Sequence, residues 1–229
     1  MRSPQGLGLI GTINIEKLLR LKMKSKPNLK NAYELKTPED NIELYSVWAK
    51  SYDSDFIEEM QYELHLSVAN EFILAGGKGP VLDVGAGTGV LAKALLQRGK
   101  FSIEATDISE AMLEVAKSKN IYERCFWSDL TKQIPVANCS YNGVVSSGTF
   151  THGHVGPSSI FELVRISKPG GVIVISVNEE HWNALDFKTE VKKISEVVKS
   201  YQLKKISIYG KQSTHSHKDD KALILTIKV

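Results

Sequence analysis

The sequence predicts an α/β fold: a Rossmann-like, seven-stranded, mostly parallel sheet with helices on both faces and an antiparallel C-terminal edge pair. Three observations carry this. From Gly79 onward, short apolar runs alternate with amphipathic runs of helical period, the pattern of parallel strands joined by crossover helices. A glycine-rich run, LDVGAGTG at 82–89, falls at the first strand-to-helix turn, where open parallel sheets bind ligands. The last two apolar runs, KKISIYG and ALILTIKV, are joined by a polar loop without a helix, the connection of an antiparallel pair.

Residues 1–40 read as a partly ordered N-terminal extension, with turn signals (SPQG, SKPN, TPED) and one short helix over 15–23. Residues 41–229 read as one domain, opened by a helical cap over 41–76. In the cap Ile42, Tyr45, Trp48, Ala49 and Tyr52, then Phe56, Met60, Leu64, Val68 and Phe72, recur at helical spacing. Thr37 is the expected N-cap, with Pro38 at the first helical position. Beyond the cap, PVLDVG is a strand, TGVLAKALLQRG a helix, FSIEATD a strand, and SEAMLEVAKSK a helix capped by Ser109. YERCFWSDL and YNGVVSSG each hold a strand. A helix over PSSIFELVRISKPGG is expected to end at Pro169-Gly170, followed by the strand VIVISVN and a long amphipathic helix over 183–201.

Composition excludes several classes. The chain has 229 residues, 42% hydrophobic and 24% charged, with a net charge of +3, which suits one globular domain and gives nucleic acid no special claim. The basic excess gathers at the start, where Arg2, Lys17, Arg20, Lys22, Lys24, Lys26 and Lys30 face Glu16 alone; a solvated tail is the expectation. No run is apolar enough to span a membrane, and GLGLIGTINI is too glycine-rich for a signal-peptide core. Cys125 and Cys139 stand apart without C-x-x-C spacing, so a reduced, cytoplasmic protein is expected.

The glycine loop alone leaves two readings. Gly87-x-Gly89-x-x-Ala92, with Asp107 further on, fits a dinucleotide fingerprint and hence an NAD(P)-dependent oxidoreductase. Three carboxylates at successive strand ends favour the other reading. Asp83 stands two residues before the first glycine, where it would repel a pyrophosphate but suit an ammonium or sulfonium. Asp107 ends the second strand, placed to accept two ribose hydroxyls, and Asp129 follows the third, placed to accept from an exocyclic amine. Tyr201-x-x-x-Lys205 has the Tyr/Lys spacing of short-chain dehydrogenases but lies after the fifth strand, away from the place that chemistry requires.

LDVGAGTG with ATDISEAML, SDL and KPGG resembles a class I S-adenosylmethionine-dependent methyltransferase over about 40–180. More narrowly, LYSVWAKSYDSDF and SSGTFTHGHVGP resemble the Williams–Beuren-region methyltransferase-like group and its bacterial relatives. The resemblance implies S-adenosylmethionine as cofactor and S-adenosylhomocysteine as product. Carried over by position, it makes Asp83, Gly85, Ala86, Gly87 and Gly89 the methionine-side loop and Asp107 the ribose ligand. Ile108 and Met112 would lie beside the adenine, Asp129 at its amine with Leu130 alongside, and Ser147 and Gly148 at the methionine end. The aromatic stripe Tyr45, Trp48 and Tyr52 would lie over the cofactor. SSGT stands where nucleobase and glutamine N-methyltransferases often carry Asn/Asp-Pro-Pro-Tyr, which argues against that subclass.

His152 and His154 follow the fourth strand, at the end of the pocket where the methyl would leave. An imidazole there suits removal of a proton from an O or N acceptor, with His152 on the acceptor side and His154 holding the turn. A zinc site would need a third ligand, and His215-x-His217 reads as a solvated hairpin, so no metal is expected. His181 and Trp182, past the fifth strand, are further candidates for shaping the acceptor site. The expected partner is a small-molecule methyl acceptor, with neither membrane nor nucleic acid; oligomeric state is not legible. A nucleoside-binding module without catalysis stays open as an alternative.

Overall fold

The computed structural model describes residues 26–151 and 155–229. Its sheet has seven strands: β1 (Val81–Val84), β2 (Ile103–Asp107), β3 (Arg124–Trp127), β4 (Tyr141–Phe150), β5 (Ser167–Asn178), β6 (Ser200–Ser207) and β7 (Lys221–Lys228). They lie in the order β3-β2-β1-β4-β5-β7-β6. The first five are parallel; β7 runs antiparallel to both β5 and β6. The C-terminal pair is antiparallel, as its helix-free connection predicts, and the later strand takes the inner place because ALILTIKV is the more apolar.

Neighbouring strand residues point to opposite faces, which sorts the core into two layers. Leu82, Val144, Ile173 and Ile175 face one way, packing on Ile160, Leu163 and Ile166 of α6 (Ser159–Ile166) and Phe187, Val191 and Ile194 of α8 (Phe187–Ile194). Val81, Val145, Val172 and Val174 face the other, against Val68 and Phe72 of α3 (Leu64–Leu74) and Leu91 and Leu95 of α4 (Val90–Leu96). Between β2 and β3 runs α5 (Glu110–Ser118), whose cap Ser109 accepts from Met112 N–H. Such doubly covered strands read as continuous apolar runs, which is why VIVISVN was so plain in the sequence.

The cap region opens with α1 (Leu29–Tyr33) and α2 (Pro38–Trp48). Thr37 Oγ1 accepts from Asp40 N–H and Asp40 Oδ2 from Thr37 N–H, each at 3.1 Å, a reciprocal capping box. The helical period of 41–76, expected as two successive helices, is interrupted between them. It is divided into α2, a π-helical turn at Asp53–Glu58, and α3. Between the last two, Gln61 takes a left-handed φ of 54° and the backbone turns to the C-terminal segment: Glu63 N–H donates to Ile208 O at 3.0 Å and Gly210 N–H to Gln61 O at 2.8 Å. Leu44, Trp48, Phe56 and Tyr62 of the cap thereby pack with Ile208 and Tyr209 in a separate apolar cluster.

Two more elements differ from expectation. The helix before Pro169 ends at Ile166, because the residue preceding proline is driven out of the helical region; Ser167 is already extended and pairs with Tyr141 in β5–β4. The predicted long helix over 183–201 is instead α7 (Glu179–Ala184) and α8, separated where Asp186 adopts a φ of 49° and caps α8. Its last residues form β6. The short helix expected over 15–23 lies outside the described residues. No helix among the described residues is long and apolar enough to cross a membrane.

Candidate functional site

The strand order reverses between β1 and β4, and a cleft opens there beyond the carboxyl ends of the parallel strands. It is partly open to solvent. Val84, Thr106, Asp107 and the Ser128–Thr131 segment form its floor with Ser147–Thr149, while Tyr45, Tyr52 and Tyr62 reach over from the cap.

The glycine loop is held by its neighbours. Gly85 has a φ of 65° and its N–H donates to Thr106 O at 2.8 Å; a Cβ there would overlap the Thr149 side chain. Gly87 has a φ of 54°, and its N–H donates to Asp107 Oδ2 at 2.8 Å. A Cβ at Gly87 would meet nothing within 4 Å, so bare main chain faces open space in the cleft. Thr88 Oγ1 donates to Asp53 Oδ1 at 2.5 Å, and Lys119 Nζ to Asp53 Oδ2 at 2.5 Å, linking the π-helical turn to the loop and to the end of α5.

The two carboxylates of the cleft stand in different settings. Asp107 accepts from Gly87 N–H and, through Oδ1, from Ser109 N–H at 2.8 Å, leaving a lone pair on each oxygen for a ligand. Burial pushes its carboxyl above the ordinary value, against the pull of these N–H groups. Burial also acts on Asp129, but hydrogen bonds from Thr131 and the nearby Lys132 ammonium outweigh it and hold the carboxyl below the usual range. Asp83 lies behind the loop, where burial raises its carboxyl to about 7 although Tyr122 Oη donates to it at 2.7 Å. Burial raises the phenols of Tyr45, Tyr52 and Tyr62 above their ordinary range, so all three are neutral at physiological pH. Tyr62 Oη and Ser147 Oγ lie 3.1 Å apart.

Tyr45, Tyr52, Gly85, Ala86, Gly87, Asp107, Ile108, Met112, Asp129, Leu130, Ser147 and Gly148 all line this one cleft. Three expected members do not. Trp48 is 1% exposed, edge-on to Tyr52 and Phe56 in the cap core, so its side of the aromatic stripe faces inward. Asp83 is turned away toward Tyr122, and Gly89, with a φ of 90°, faces the Tyr122 ring as it starts α4. Sequence reasoning missed Tyr62, Thr88, Ser128 and Thr149. Ser128 and Thr88 sat inside quoted motifs, whereas nothing local marks Tyr62. His152 and His154 lie outside the described residues, and the expectation for them rests on sequence alone. His181 and Trp182 are packed away from the cleft: His181 Nε2 is 2.8 Å from Val155 O, and both rings rest on Phe187. Among the described residues no group of three His, Cys, Asp or Glu side chains is arranged to hold a metal.

Tyr201 and Lys205 both lie on β6, where four residues span roughly 13 Å. Lys205 pairs instead with Glu179 at 2.5 Å, so the dehydrogenase-like spacing brings no pair together. No lysine, arginine or histidine lines the cleft among the described residues. Two carboxylates, bare glycine main chain and aromatic faces fit an S-adenosyl nucleoside with its ammonium and sulfonium charges. Among the described residues of the lining, no cation is offered to a pyrophosphate.

A family model described as a methyltransferase domain matches residues 81–171. Human methyltransferase-like protein 27 is 28% identical over 148 residues, covering 62% of this chain and 59% of that protein. The malonyl-[acyl-carrier protein] O-methyltransferase of Serratia marcescens is 31% identical over 96 residues, covering 42% of this chain and 37% of that one. The chain thus spans less than two thirds of the length of these relatives. Among solved structures, an S-adenosylmethionine-dependent methyltransferase from Aquifex aeolicus superimposes with a TM-score of 0.54 at 17% identity, covering 80% of this chain and 98% of that one.

Proposed function

We propose that the chain, matched over residues 81–171 by a methyltransferase-domain model, is a class I S-adenosylmethionine-dependent methyltransferase that transfers a methyl group to an O or N atom of a small molecule. The observation that carries this reading is the charge of the cleft: Asp107 and Asp129 at the strand ends, with no basic side chain in the lining among the described residues. S-adenosylmethionine supplies a methyl group made electrophilic by the positive sulfur.

Asp107 receives the two ribose hydroxyls, held in place by Gly87 and Ser109. Ile108, Met112 and Leu130 would flank the adenine, and Asp129 would accept from its amine. The methionine part lies along Gly85, Ala86 and Gly87. Tyr45 and Tyr52 offer their ring faces to the sulfonium, an attraction of ~0.5–2 kcal/mol, and neutral phenol donors to the carboxylate. Ser147 and Gly148 border the methyl end. Transfer is an in-line displacement, so the work of these side chains is alignment and exclusion of water. His152 is the proposed base for an acceptor that carries a proton. An oxygen acceptor is supported by the malonyl-[acyl-carrier protein] O-methyltransferase relative, and a cytoplasmic location by the free thiols of Cys125 and Cys139.

The test is transfer of labelled methyl from S-adenosylmethionine to a fractionated cell extract, with Asp107→Ala as the inactive control. Label in the small-molecule fraction, absent with the variant, supports the reading. Label only in protein or RNA contradicts it.

A further inference from the structure

Beside the cofactor cleft lies a second, smaller cavity, and Tyr45, Tyr52, Tyr62 and Gly148 line both. These four residues form the wall between them. Tyr33, Phe56 and Tyr209 also line it. Among the described residues no Lys, Arg, His, Asp or Glu lines it.

The lining is mostly apolar or phenolic, and Asn178 brings an amide to it. Asn178, at the end of β5, is 6% exposed and lines the cavity. Its Oδ1 accepts from Glu180 N–H at 2.9 Å and His181 N–H at 3.2 Å, capping α7. That fixes which end of the amide is oxygen, since the nitrogen has no lone pair to accept with. The Nδ2 donors therefore point away from the helix, and they have no hydrogen-bond partner among the described residues. These donors are open to the cavity, where a ligand oxygen can accept from them. Two residues earlier on the same strand face, Ser176 Oγ accepts from Gly148 N–H at 3.2 Å, so Asn178 stands about 7 Å along the strand from the dividing wall.

We propose that this second cavity receives the methyl acceptor, an uncharged, flat conjugated molecule whose carbonyl or hydroxyl oxygen accepts from Asn178 Nδ2. The aromatic walls supply stacking surface, and the charge-free lining among the described residues favours a neutral ligand over a carboxylate, phosphate or amine. This rests on the methyltransferase reading of the adjoining cleft. Asn178 is thus a specificity residue.

The test uses three probes, naphthol, naphthalene and naphthoate, titrated into the full chain with and without S-adenosylhomocysteine. Two variants keep a helix-capping oxygen but lose the amide donor: Asn178→Asp and Asn178→Ser. Wild type is expected to prefer naphthol over naphthoate, and both variants to bind naphthol about tenfold more weakly while naphthalene stays within about twofold. Unchanged naphthol affinity in both variants overturns the proposal, as does naphthoate binding wild type as tightly as naphthol. Failure of S-adenosylhomocysteine to bind wild type contradicts the cofactor reading instead, while the cofactor-free titrations still judge the role of Asn178.

Discussion

Asp107 Oδ2 accepts the N–H of Gly87 at 2.8 Å, so the acid at the end of β2 and the bend of the glycine loop hold each other in place. The same carboxylate proposed to bind the ribose therefore also shapes the main chain proposed to bear the methionine. Asp107→Ala removes both and is expected to weaken S-adenosylhomocysteine by about 3 kcal/mol, near a hundredfold. Calorimetry checks this beside circular dichroism, which should stay native. Unchanged affinity would sink the ribose assignment.

The two glycines that flank Ala86 should answer differently to the same change. Gly85→Ala drives a Cβ into Thr149 and is expected to lower the melting temperature. Gly87→Ala meets no atom; it carries only the left-handed backbone cost of about 1–2 kcal/mol, yet places a methyl in the cleft. Its signature is a loss of cofactor affinity larger than its loss of stability. Equal affinities for wild type and Gly87→Ala would mean that the ligand does not lie along this backbone.

Asp83 makes stability depend on pH. Burial holds its folded carboxyl at about 7, above the unfolded value, so the folded state keeps a proton that the unfolded state releases. Its contribution is present below the unfolded pKa and is lost as pH rises through about 7. Asp83→Asn should thus gain on wild type between pH ~5 and ~8. Denaturant titrations at the two ends read the difference; parallel curves at both would remove the buried-acid account.

The Thr88–Asp53–Lys119 link ties the cap to the loop. Because Asp53 and Lys119 are partly solvated, with side-chain exposures of 39% and 24%, Asp53→Ala should change global stability by less than about 1 kcal/mol. Locally, amide exchange over the π-helical turn should quicken and S-adenosylhomocysteine dissociate faster. Exchange indistinguishable from wild type would show that the turn is held by its aromatic packing alone.

What the sequence made legible was whatever depends on short-range pattern. The strand alternation, the Thr37–Pro38 cap and the LDVGAGTG turn follow from local period and backbone chemistry. Helix lengths did not, because they are set by distant partners: Tyr62 leaves the helical path to pair with Tyr209, and Asp186 turns left-handed so that Phe187 can reach the core. The cleft followed the same division. Residues on strand ends and in the loop were found from motifs, whereas Trp48 and Tyr52, on one helical stripe, are separated only by packing, one into the cap core and one onto the cleft. Asp83 carried the right charge in the right motif, but its side chain is claimed by Tyr122, some forty residues away.

On the proposed function the cleft takes a cationic adenosyl ligand and not a dinucleotide. Calorimetry of the full chain with S-adenosylmethionine and with NADH addresses it most directly. Saturable one-to-one binding of S-adenosylmethionine, lost in Asp107→Ala, with no heat from NADH, is the predicted result. Binding of NADH with S-adenosylmethionine inert would contradict it.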